Sequence, residues 1–180
     1  MFEITVLASG SSGNAALVRT ESSAFLVDAG LSARELTARL AACGAEPRDI
    51  RAILVTHEHG DHIKGLAQWS KQHATPVYCN CRTATVLREK VTEFTGWKIF
   101  ETGAEFDLEG CSVRSFLVPH DAVEPVGFVI RRLGRTFGFL TDLGHATTLV
   151  TESLRGVEAL LLEANYDEQL LQLDTRRPWP

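Results

Sequence analysis

Short apolar stretches separated by turn residues dominate the first third of the chain. Phe2 to Leu7, Ala15 to Arg19 and Ala24 to Val27 each carry β-branched or apolar residues over the length of a strand. The loop Ser9-Gly10-Ser11-Ser12-Gly13-Asn14 divides the first two. A helix is predicted after Ser32, because Ser32 and Glu35 have capping-box spacing and Leu36, Leu40 and Cys43 share one face, with Gly44 as its end. Arg51 to Val55 reads as a strand that runs directly into Thr56-His57-Glu58-His59-Gly60-Asp61-His62. One helix should follow, turning Ile63, Leu66 and Trp69 inward, until Pro76 introduces a strand through Val77 and Tyr78.

This βα alternation continues with a helix near Arg82 to Val91 and then gives way to strands: Lys98 to Glu101, Glu105 to Leu108, Ser112 to Val118, Val126 to Arg131 and Thr136 to Thr141. Pro119 to Pro125 joins the third and fourth, and Leu133-Gly134-Arg135 turns tightly between the last two, so an antiparallel meander is predicted. A helix from Thr147 to Arg155, a buried strand from Val157 to Glu163 and a helix from Tyr166 to Leu173 complete the pattern. No internal repeat or linker interrupts it, so residues 1–180 are expected to form a single α/β (α+β) domain.

Composition narrows the class. A chain of 180 residues with 44% hydrophobic and 23% charged positions can bury a core without disulfide help. No run of about 18 apolar residues is present and the N-terminus lacks a signal-peptide pattern, so a cytoplasmic location and no membrane partner are expected. In a reducing compartment Cys43, Cys79, Cys81 and Cys111 are expected to be free, buried thiols. The net charge of −5 argues against non-specific coating of nucleic acid but leaves room for a local phosphate-binding cleft. Oligomeric state is not readable from these properties.

The densest chemistry lies between positions 57 and 62, where three of the six histidines and an aspartate share one glycine-containing loop after a buried strand. Imidazole nitrogen and carboxylate oxygen are the ligands of a catalytic zinc-type ion that keeps an open position. His57 and His59 can turn toward one ion, while Asp61 and His62, displaced by Gly60, can reach a second; two ions about 3.5–4 Å apart can hold a hydroxide between them. His120 and Asp142 each lie just beyond an apolar strand, so their loops can converge on the same rim of a sheet sandwich. Taken singly, His120 reads equally well as a surface turn residue and Asp142 as an Asx turn before Gly144.

The H-x-H-x-D-H run at His57 to His62, preceded by Val27-Asp28-Ala29-Gly30, resembles the metallo-β-lactamase fold superfamily over nearly the entire chain. The Ser9 to Asn14 loop, Val118-Pro119-His120-Asp121 and Leu162-Glu163-Ala164-Asn165-Tyr166-Asp167 look most like its YycJ/WalJ branch, which is associated with exonuclease-type phosphodiester hydrolysis. The resemblance implies an αββα sandwich of two mixed sheets flanked by helices. It also implies two divalent ions, zinc first and manganese admissible. His57, His59 and His120 would hold the first, Asp61 and His62 the second, with Asp142 bridging. The family carries a further histidine near its C-terminus, whereas no histidine follows His145 here. Either the chain stops before that ligand or His145 replaces it. Truncation is the preferred expectation, because the family's closing strand and helix are also absent, and it would weaken the second ion's site.

The activity so implied is a metal-dependent hydrolase, foremost a phosphodiesterase or exonuclease acting on DNA or another nucleic acid through a metal-activated hydroxide. Asp61 would also orient the nucleophile's proton as a catalytic residue. Asp28 and Glu163 are candidates to accept an imidazole N–H and fix a ligand's tautomer, or else are strand-end carboxylates that bind loop amides. Ser11, Ser12 and Asn14 could line an anion nest beside the metal rim, or form a plain hairpin turn. A thioester or lactam hydrolase on the same ions, and a regulatory or vestigial metal-binding module, are the alternatives. Fold alone does not choose among them.

Overall fold

A computed structural model describes residues 1–163. Strands β1 (Phe2–Ala8), β2 (Ala15–Thr20), β3 (Ala24–Val27), β4 (Ile50–Leu54), β5 (Val77–Asn80) and β6 (Trp97–Phe100) form one sheet in chain order. The first three are joined by short turns and pair antiparallel. From β3 to β6 the pairs are parallel, because helices supply the crossovers that parallel pairing requires. These are α1 (Ala33–Ala42), the short pair α2 (Gly60–Ile63) and α3 (Leu66–Gln72), and α4 (Cys81–Lys90).

The second sheet runs β11-β10-β9-β8-β7, from β7 (Glu105–Leu108), β8 (Cys111–Leu117), β9 (Val126–Arg132) and β10 (Arg135–Leu140), with α5 (Thr148–Ser153) crossing to a parallel β11 (Ala159–Leu162). Alternating residues of the first sheet face opposite ways. Leu17, Leu26, Ile53 and Val77 pack with Leu36, Leu40, Trp69 and Leu87 of the helices. Val18, Phe25, Val27 and Leu54 pack with Phe128, Ile130 and Phe139 of the second sheet. Burial on both faces explains why these strands read as continuous apolar runs. Phe116, Val129 and Leu140 meet Val150 of α5 on the far side, completing the expected αββα layering.

Local signals hold where they are chemical. Ser32 caps α1 by accepting the Glu35 N–H at 3.2 Å, and Gly44 leaves the helix at φ 70°. Three expectations change. The single helix after His62 is two, broken where Gly65 donates its N–H to the Ala29 carbonyl at 2.9 Å and packs so closely on the Leu31 carbonyl that no Cβ fits. The meander begins one strand later, since β6 pairs parallel with β5 and the chain changes sheets between Phe100 and Glu105. The final strand is not buried: Ala159, Leu160 and Leu162 of β11 are exposed, on a strand at the end of its sheet.

The helix expected at Tyr166 to Leu173 lies outside the described residues. All four cysteines are free, with Cys79 and Cys111 buried, Cys43 half-buried and Cys81 exposed; burial pushes the Cys79 thiol up to about 12. Among the described residues no helix is long and apolar enough to cross a membrane.

Candidate metal centre

Four of the site's loops leave the carboxyl ends of strands. Asp28 follows β3, the segment from Thr56 to His62 follows β4, His120 follows β8 and Asp142 follows β10. β3 and β4 are parallel, and β8 and β10 run the same way because each is antiparallel to β9. The loops therefore open on one rim. Backbone hydrogen bonds stitch them together there: Val126 N–H to the Thr56 carbonyl (3.2 Å), Gly144 N–H to Pro119 (2.8 Å), Ala29 N–H to His62 (2.8 Å) and Asn14 N–H to Asp61 (2.7 Å).

Among the described residues two groups of potential ligands result, His57 with His59 and His120, and His57 with His62 and Asp142; within each, the ligand atoms lie within 4.8 Å of one another. The His57 ring centroid is 4.1–4.9 Å from those of His62, His59 and His120. His59 Nδ1 and His120 Nε2 are 3.0 Å apart. Asp142 Oδ2 lies 2.8 Å from His62 Nε2 and 3.9 Å from His57 Nε2. Asp61 belongs to neither group, although its Oδ2 is 3.5 Å from His62 Nε2. His145 is exposed and also lies outside both.

A buried hydrogen-bond network sets which nitrogens face the rim. Asp28, with no exposed surface, accepts Thr56 N–H and Thr56 Oγ1 at 2.8 Å each and lies 2.7 Å from His62 Nδ1. A carboxylate only accepts, so His62 keeps a proton on Nδ1 toward Asp28 whether charged or neutral, and Nε2, which faces Asp142, is the nitrogen that would give up its proton to an ion. Thr56 Oγ1 is also 3.0 Å from His57 Nδ1, which leaves His57 Nε2 for the rim. Asp28 and Asp142 are held at φ 61° and 53°, a left-handed conformation that aspartate tolerates better than most residues. Thr56 is the residue sequence reasoning missed. Its one signal is a hydroxyl ending an apolar strand, and that is too common to single out.

The arrangement fits a divalent cation. Among the described residues His57 Nε2 is buried without a hydrogen-bond partner, an unfavourable state that an ion between it and Asp142 Oδ2, itself beside His62 Nε2, would relieve. Burial, reinforced by the neighbouring His62, holds His57 down at about 2, so its imidazole is neutral and its lone pair is available. Burial also lowers His120. It opposes a charge on His62 as well, but the Asp28 and Asp142 carboxylates outweigh it and lift His62 to about 10. Asp142, which burial alone would raise, is lowered by His62 beside it.

Of the remaining residues, Asn14 is buried with Nδ2 3.1 Å from His62 Nε2, and its Oδ1 accepts Gly10 N–H at 3.0 Å. Gly13 N–H is spent inside the same turn, on the Gly10 carbonyl at 2.9 Å. Ser11 and Ser12 are exposed at the tip of this turn. Glu163, half-buried, sits near Asp142 and Asp61, and burial followed by the Asp142 charge raises its pKa.

Two mixed sheets between helices, with imidazoles and a carboxylate gathered at one rim, define a metallo-β-lactamase fold. The chain belongs to the β-lactamase superfamily: the family described as "Beta-lactamase superfamily domain" matches residues 23–176. It is 36% identical over 177 residues to "Exodeoxyribonuclease YycJ" of Bacillus anthracis, covering 97% of this chain and 67% of that protein. It is 34% identical over 175 residues to "Exodeoxyribonuclease WalJ" of Streptococcus pneumoniae, covering 95% and 65%. The chain thus spans about two thirds of the length of these curated relatives. Among solved structures, Zn(2+)-bound PqqB from Methylobacterium extorquens superposes with a TM-score of 0.80 at 18% identity, covering 99% of this chain and 79% of that one.

Proposed function

We propose that this domain is a metal-dependent phosphodiesterase of the exonuclease type, acting on DNA ends. The observation that carries the reading is the pair of ligand groups that share His57, placed by loops from both sheets. His57, His59 and His120 would hold one ion; His62 and Asp142, with Asp61 alongside, would hold a second, and Asp142 lies within reach of both His57 and His62. Three imidazoles suit zinc, and the carboxylates beside the second position also admit manganese. Divalent ions bound there would make a nucleophile available near neutral pH and stabilise charge on phosphoryl oxygens.

The chain's own groups do the rest. Asp28 and Thr56 hold His62 and His57 in fixed orientations. Asn14 presents an amide donor beside His62, suited to a phosphoryl oxygen. Asp61, partly exposed, would accept a proton from the attacking water. Glu163 lies beside Asp142, where burial and the Asp142 charge raise its pKa. The names of the two bacterial relatives support a DNA phosphodiester as substrate.

Metal-free protein reloaded with zinc or manganese should hydrolyse bis-p-nitrophenyl phosphate and shorten end-labelled DNA. His57→Ala and Asp142→Ala should bring both activities to background. Turnover of a thioester or a chromogenic lactam without phosphodiester cleavage would overturn the assignment, as would protein that takes up no metal.

A further inference from the structure

Glu58 stands between two of the site's histidines yet is directed away from them. It is 7% exposed, and its Oε1 accepts the Val123 N–H at 2.8 Å. Val123 lies three residues beyond His120 in the connection between β8 and β9. That connection is anchored elsewhere too: Asn80 Nδ2 donates to the Glu124 carbonyl at 2.7 Å, Thr102 Oγ1 to the Glu124 carboxylate, and Val118 N–H to Pro125 at 3.0 Å. Among the described residues, however, only two hydrogen bonds run from residues 119–125 to residues 57–62. One is the His59–His120 contact itself, and the other is Glu58 to Val123. On the far side Lys90 Nζ of α4 donates to the Glu58 carbonyl at 3.0 Å, fixing the backbone between His57 and His59. A buried carboxylate is costly unless hydrogen-bonded, and a smaller apolar residue would fill this place without that cost, so packing alone does not call for an acid.

We infer that Glu58 is a positioning residue for the three-histidine site: by holding Val123 it keeps His120 in register with His57 and His59. The inference rests on the metal-binding reading above, with Glu58 acting through His120 and touching neither ion nor substrate.

The test is zinc affinity, by competition with a chromophoric chelator, for the wild type, Glu58→Ala, Glu58→Gln, His120→Ala and the double variant. Hydrogen exchange at the Val123 amide of metal-free protein is followed in parallel. Loss of such outer partners typically weakens metal binding about 10- to 100-fold, and Glu58→Ala should fall in that range with the Val123 amide deprotected. Glu58→Gln, which keeps an acceptor oxygen, should recover most of the affinity. In the His120→Ala background, Glu58→Ala should change affinity by no more than about twofold, because its effect passes through His120. Wild-type affinity in Glu58→Ala, or an equal loss with and without His120, would overturn the inference while leaving the metal site standing. A wild type that binds no zinc would remove the underlying reading as well. Should Glu58→Ala not fold, Glu58→Asp, one methylene short of Val123, serves the same comparison.

Discussion

Replacing Asp28 by asparagine tests the buried network while preserving its shape. The side chain is isosteric and tolerates the φ of 61° at this position. Thr56 N–H is an obligate donor, so the asparagine oxygen must stay where Asp28 Oδ1 accepts it at 2.8 Å. The amide nitrogen then takes the place of Oδ2, which lies 2.8 Å from Thr56 Oγ1 and 2.7 Å from His62 Nδ1. A donor facing Nδ1 drives the His62 proton to Nε2, the atom 2.8 Å from Asp142 that should offer a lone pair to an ion. Three bonds to a carboxylate become bonds to a neutral amide at a loss of about 1 kcal/mol each, so metal-free protein should lose about 3 kcal/mol in urea unfolding. Zinc affinity should fall about 10- to 100-fold. Imidazole nitrogen NMR of the zinc-loaded protein would read the tautomer directly. A variant within about 0.5 kcal/mol of wild type, with the Nδ1–H form and full zinc affinity retained, would show that Asp28 does not orient this histidine.

Two further outcomes follow from the same geometry. A Cβ at Gly30 would overlap the Asp61 carbonyl and approach the Asn14 amide at 2.5 Å, so Gly30→Ala should cost about 2–3 kcal/mol in chemical denaturation and weaken zinc binding by forcing the two loops apart; a neutral substitution would contradict the packing. The thermal midpoint of metal-free protein should peak near pH 6.5. Below it, the unfolded chain binds a proton that folded His57, held at about 2, refuses; above it, the stability contributed by His62 is lost progressively up to its raised value of about 10. A midpoint that climbs steadily from pH 6.5 to pH 9 would contradict the His62 assignment, and one that does not fall as pH drops from 6.5 to 4 would contradict that of His57.

The sequence announced the centre because four ligand-type residues crowd into six positions after an apolar strand, a density that no ordinary turn requires. His120 and Asp142 became legible only beside that cluster, since each alone is a common turn residue. Asp61 is legible from its place in the hexapeptide, and in the fold its Oδ2 lies 3.5 Å from His62 Nε2, beside the His57, His62 and Asp142 group rather than within it. In the Ser9 to Asn14 loop, pattern does not reveal which amides are used internally; the fold spends those of Gly10 and Gly13 there. The assignment of β6 and β7 to different sheets depended on partners distant in the chain, to which local pattern is blind. The burial of β11 was inferred from its leucines, and its position at the end of the sheet decided otherwise.

The change of sheets between Phe100 and Glu105 has one more consequence. Asn14, Asp28, His57, His59 and His62 all precede it, and His120 and Asp142 follow it. Cutting the chain there would divide both ligand groups, leaving His57, His59 and His62 on one piece and His120 and Asp142 on the other. A captured ion would act as a clasp across the seam, drawing the two leaves together with a strength that rises with the free metal concentration.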